Sequence, residues 1–105
     1  MKHYFYIFIT IVLSFFIQSN REYQPKDCQC KNIELKGRVK IVNNFADFKV
    51  KIVNSFADLR VKKVKSFPNN CGEWQFVDSG EDFTIQFVES FPDFTIMYVD
   101  NFAGE

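Results

Sequence analysis

Residues 40–61 read KIVNNFADFKVKIVNSFADLRV and state nearly the same eleven residues twice. Aligned on its valines, the pattern runs to the end of the chain as VKIVNNFADFK (39–49), VKIVNSFADLR (50–60), VKKVKSFPNNCGE (61–73), WQFVDSGEDFT (74–84), IQFVESFPDFT (85–95) and IMYVDNFAGE (96–105). The fourth position is Val in all six units, and the seventh is Phe in five of them, with Gly80 in the fourth unit. Self-similarity at a fixed period decides architecture before any local motif does.

An eleven-residue period also suits a right-handed helical supercoil. Pro68 and Pro92 argue against it, because they recur at the eighth position, where a continuous helix would be broken. The residues before each turn alternate instead. Phe48, Val50 and Ile52 face one way and Lys49 and Lys51 the other, as do Phe83, Ile85 and Phe87 against Thr84 and Gln86. Period two with β-branched and aromatic residues predicts strands, and Asn-Ser-Phe-Ala-Asp or Ser-Phe-Pro-Asp predicts turns. The fold class is therefore mostly β: a compact single domain of six short strand-turn repeats of about 11 residues. Five Phe at one turn register, Phe45, Phe56, Phe67, Phe91 and Phe102, are expected to form an inward column worth about 1.5–3 kcal/mol per ring. The competing reading is a ligand-binding aromatic stripe. Gly80 breaks the column, so residues 78–82 are the loop expected to move most.

Residues 1–19 read as an export signal: Lys2 precedes the apolar run Phe5 to Ile17, which is short for a membrane span. If the signal stays uncleaved it is an anchor, and it is then the chain's only contact with a membrane. Residues 20–38 form a divergent segment with two cysteines, and residues 39–105 form the repeat domain. The roughly 86 residues left after cleavage make a marginal core, and small exported domains compensate with a staple. One disulfide is expected between the Cys28-Gln29-Cys30 segment and Cys71, with Cys30–Cys71 the favoured pairing. A metal site on these cysteines lacks a fourth ligand.

The Val-to-Phe-to-Asp turns, the alternating strands and the interruption Cys71-Gly72-Glu73-Trp74-Gln75-Phe76-Val77 together resemble the small septoil-knot domain family. The likeness covers Val39 to Glu105. It implies a deeply knotted backbone and no activity.

Charge divides the chain. Residues 36–65 hold nine Lys or Arg and two acids, whereas residues 66–105 hold eight acids and no base. Lys49, Lys51, Arg60, Lys62 and Lys63 are the candidate anion-binding residues. The plainer reading sets basic units beside acidic ones in the fold. Nucleic acid is not the expected target of an exported chain of pI ≈ 6.6. His3, in the signal, is the only histidine, so the mature chain has no imidazole for general-base or nucleophile-activating work. Asp47, Asp58 and Asp93 share one register and are expected to cap turns. Residues 78–82 lack the ligand spacing of an EF-hand loop, and the four glycines are too far apart to cradle a phosphate. Trp74 is expected in the core. No enzyme and no cofactor are expected; the function expected is an exported structural or protein-binding domain, with anion binding to a surface polymer or nucleic acid as the alternative.

Overall fold

The computed structural model describes Tyr23–Gln24 and residues 27–105; the leader at residues 1–19 lies outside the described residues. These hold nine strands and no α-helix: β1 (Tyr23–Gln24), β2 (Gln29–Cys30), β3 (Ile33–Glu34), β4 (Gly37–Ile41), β5 (Phe48–Ile52), β6 (Leu59–Lys63), β7 (Glu73–Phe76), β8 (Phe83–Phe87) and β9 (Phe94–Tyr98). The first three pair antiparallel as a small sheet. The other six, one per repeat, close into an all-parallel barrel in the order β4-β7-β6-β9-β5-β8.

Register in this barrel obeys one rule. Val39, the centre of β4, lies opposite Phe76 on one side and Phe83 on the other, and Val50 of β5 lies opposite Phe87 and Phe94. Val61 faces Tyr98, and Trp74 faces Lys63. Every strand is thus displaced by two residues from its neighbour, in the same sense around the whole circuit. A stagger of two preserves side-chain parity, whereas a stagger of one would turn every core residue outward. Val39, Val50, Val61, Trp74, Ile85 and Ile96 accordingly meet at the centre, with Phe48, Leu59, Phe83 and Phe94 in the layer where the strands begin, all buried. Phe48 meets Phe83 and Phe94 edge-on at 5.5 and 5.4 Å, and Trp74 meets Phe83 at 5.6 Å. The Trp74 indole donates to Leu35 O at 3.1 Å, so its polar edge is satisfied inside the core, as the sequence leads one to expect.

The small sheet closes the end of the barrel at which the strands begin. Its Cys30, with Leu35 beyond it, is fully buried in the common core, and Lys31 reaches Asp47 O and Asp93. The disulfide joins Cys28, not Cys30, to Cys71 across 43 residues. The pairing expected from the sequence is corrected for a local reason. Cys30 is a strand residue facing the core, while Cys28 stands in a positive-φ turn (52°) that carries it to the rim beside Cys71.

Consecutive strands are two places apart in the barrel, so each connection arches over the strand between them. Residues 42–47 cross β8, where Asp47 accepts from Thr84 N at 2.8 Å and from Thr84 Oγ1 at 3.2 Å. Residues 53–58 cross β9 with the same contacts from Asp58 to Thr95, at 2.9 and 3.2 Å. Residues 77–82 cross β4 and 88–93 cross β5, where Asp82 and Asp93 accept from Arg38 N at 2.8 Å and Lys49 N at 2.7 Å. Near the C-terminus Gly104 exchanges two backbone bonds with Arg60 of β6. The aspartates expected to cap their own turns instead pin each arch to the strand beneath it. Parallel strands ordinarily need a dozen or more residues to connect; pinned arches over five-residue strands manage with six. The link from β6 to β7 differs. It advances one place instead of two, and it is the repeat with the two extra residues.

Candidate functional site

The five phenylalanines expected in the core stand at the apexes of these connections, and their exposures run from 80 to 102%. Their φ angles are 57°, 53°, 55°, 54° and 62°, all in the left-handed region, and Gly80 occupies the same place at 76°. The inward column is therefore corrected to an outward one. A six-residue arch must reverse direction at its seventh repeat position, and the residue there is turned away from the barrel. Because the arches follow the strand order, the circuit reads Phe45, Gly80, Phe67, Phe102, Phe56, Phe91. Five of its six apexes carry a ring.

The end where the strands finish is not covered by the small sheet. Ile41, Phe76, Lys63, Tyr98, Ile52 and Phe87 follow one another around it, with Ile41, Ile52 and Phe87 exposed. Lys63 places its ammonium 4.1 Å from the Tyr98 ring centroid. Burial pushes the Tyr98 phenol above its ordinary range, because the phenolate would be poorly solvated there.

The irregular β6–β7 link leaves an open groove of about 320 Å³ on the outer wall. Its floor is the paired stretch of β4 and β7 at Gly37, Arg38 and Gln75; its walls are Phe67 with Asn69 on one side and Asp82 on the other. A Cβ at Gly37 would collide with the Asp82 carboxylate, and the φ of +122° there suits glycine alone. The Arg38 guanidinium lies 3.8 Å from Asp82, both half-exposed. Phe67, at 80%, is the least exposed of the five apex rings. None of Arg38, Gln75 and Asp82 stood out in the sequence. The two-residue insertion and the glycine in place of Phe48, Leu59, Phe83 and Phe94 were the available signals.

The five candidate cations are not brought together as one face. Lys49 and Lys51 lie on β5 and Arg60 and Lys62 on β6, with Thr95 and Met97 of β9 between them. Arg60 also donates to Glu105 O at 2.7 Å. Lys63 belongs to the apolar mouth. Around the barrel the basic strands β4, β6 and β5 alternate with β7, β9 and β8 from the acidic half, which is the plainer reading of the charge division. Cys28, Cys71 and Glu105 cluster closely enough for a metal ion, but both sulfurs are spent in the disulfide and supply no thiolate.

These features define a small, all-β, disulfide-closed barrel domain assembled from eleven-residue repeats. The chain matches the family model described as the 7(1) septoil knot domain over residues 32–105, and it belongs to the septoil knot domain family. No curated protein matches it. The disulfide is consistent with an exported protein.

Proposed function

We propose that the chain is an exported, non-enzymatic binding module whose contact elements are the Phe apexes. One observation carries this reading: five phenylalanines occupy a left-handed apex that glycine fills more cheaply, and their rings touch almost nothing within the molecule. A left-handed non-glycine residue costs about 1–2 kcal/mol, and an exposed ring contributes nothing to the core. Position five of the repeat varies among Asn, Lys, Asp and Glu while position seven is Phe in five of the six units, so the ring is the most constant part of an otherwise variable tip. Aspartate pins the arches that carry Phe45, Phe56 and Phe91, which holds those tips in place before any partner arrives and lowers the cost of ordering them. Export is supported by the apolar leader and by the disulfide.

A photo-crosslinking phenylalanine analogue tests the reading in the native cells. Placed at 45, 56 or 91 it captures one common species, and placed at Gln86 or Lys51 it does not. Equal capture at both sets of positions, or none at the apexes, sinks the proposal. The anion-binding alternative retains Lys49, Lys51, Arg60 and Lys62 as cations flanking β9, about 10 Å apart by strand spacing. It requires binding that falls steeply with salt and is lost on charge reversal at Lys51 and Lys62.

A further inference from the structure

We infer that the groove beside Phe67 is a saccharide site. This inference names the ligand class for the binding module proposed above and rests on that reading. The argument begins with the break in the repeat. Five of the six arches or ends cross a strand and cover its outer wall; the β6–β7 link does not, so β7 alone is left uncrossed, and the groove lies over it against the Asp82 end of the arch that crosses β4. The groove therefore exists only where the sixfold pattern fails, and its floor depends on Gly37.

Its lining combines two chemistries. Phe67 presents an aromatic face beside the groove, and Arg38, Asn69, Gln75 and Asp82 present a guanidinium, two amides and a carboxylate around it. Planar groups of this kind donate and accept in pairs. A pyranose ring answers both: its C–H face lies against an aromatic ring, and its equatorial hydroxyls donate to a carboxylate and accept from amide or guanidinium N–H. The charge balance agrees. Arg38 and Asp82 partly neutralise each other at 3.8 Å, and Lys36, which donates to Asn69 O at 3.2 Å, is balanced by Glu34 at 3.4 Å, so the charges beside the groove come in pairs and not as a cationic or anionic cluster. A protein partner fits less well, because the apolar part of the lining is confined to Phe67 and Pro68 at one wall and the floor and opposite wall are polar, unlike the apolar centre that carries binding energy in protein interfaces. The remaining apexes then serve a polymeric glycan as secondary contacts, each weak alone and additive through effective concentration.

The test titrates the full disulfide-closed chain, isotopically labelled, with hexasaccharides of β-1,4-linked N-acetylglucosamine, β-1,4-linked glucose and β-1,3-linked glucose, each to about 10 mM, since a single shallow site binds near the millimolar range. The expected result is a saturable shift of the Gln75 and Asn69 side-chain amides and the Arg38 backbone amide with at least one sugar. Phe67→Ala should weaken it roughly tenfold, Gln75→Ala should weaken it too, and Gln86→Ala, on the wall of β8, should leave it unchanged; thermal melts of each variant confirm folding. Shifts spread evenly over all five apexes overturn the groove, and no saturable shift with any of the three sugars overturns the saccharide class. Crosslinking at 45, 56 and 91 reads the apexes whatever the ligand, so failure here and failure of the binding-module reading remain separate results.

Discussion

Phe56 and Phe48 are eight residues apart and have opposite fates. Phe48 is buried at the start of β5, and its removal should cost about 3–5 kcal/mol through lost burial and the cavity left behind. Phe56 is wholly exposed at φ 53°, so Phe56→Ala should leave stability unchanged, and Phe56→Gly should raise it by about 0.5–1 kcal/mol by relieving the left-handed backbone. Chemical denaturation of the three variants checks the contrast, and a large loss in Phe56→Ala would mean that the ring packs after all. The sequence shows which residues are phenylalanine but not which are core, because both registers repeat. Gly80 in the Phe slot was the legible clue, since glycine substitutes readily where φ is positive. Tyr98 supplies a second residue-scale prediction. Its folded pKa lies above its ordinary value, so the folded state holds the phenolic proton longer than the unfolded chain. Stability is full below the ordinary tyrosine pKa of about 10 and falls as pH rises through the folded value. Ultraviolet titration should show one late-ionising tyrosine that Tyr98→Phe abolishes, and an unchanged titration curve in that variant would refute the assignment.

Among the elements, the strands were the most legible and the arches the least. Alternation at Phe48, Val50 and Ile52 predicts a strand from parity alone, and the buried–exposed pattern of β5 follows it through its first three residues. Strand order is another matter. Val39 pairs with residues 37 and 44 positions away, and no feature of a repeat of identical units distinguishes those partners from nearer ones. What selects them is the stagger of two together with the aspartates that bind the crossed strand, and both are three-dimensional facts. Asp47 and Asp58 make the same contacts with Thr84 and Thr95, so they form an internal control. Asp47→Ala removes the protein acceptor of the solvent-accessible Thr84 amide and should cost about 0.5–1.5 kcal/mol. Amide exchange should speed up at Thr84 and not at Thr95, with the reverse in Asp58→Ala. Equal acceleration at both sites in either variant would show that the arches are not held individually.

For the whole molecule, the arches raise a question of threading. Strands β8 and β9 lie beneath connections 42–47 and 53–58, which precede them in the chain. The Cys28–Cys71 bond then ties the small sheet to the barrel; Cys28→Ser with Cys71→Ser should cost about 2–4 kcal/mol without changing the fold. Two sources of slow folding combine here. Five of the six barrel ladders span 37 or 44 residues, and such non-local parallel pairing is slow even without threading. A chain that must also pass two strands under existing arches adds a topological step that denaturant-unfolded but still threaded molecules avoid. The two can be separated by pulling the reduced chain from its ends in an optical trap. A torus knot leaves the extended chain shorter than its full contour of about 3.3–3.6 Å per residue, because the tightened crossings hold residues back. A backbone that extends to full contour is unthreaded, and the resemblance to a knotted family would then stop at the barrel. The shortfall should persist through repeated cycles of unfolding, and refolding from the tightened state should outpace refolding of freshly synthesised chain. Equal rates would place the kinetic barrier in strand pairing and not in threading.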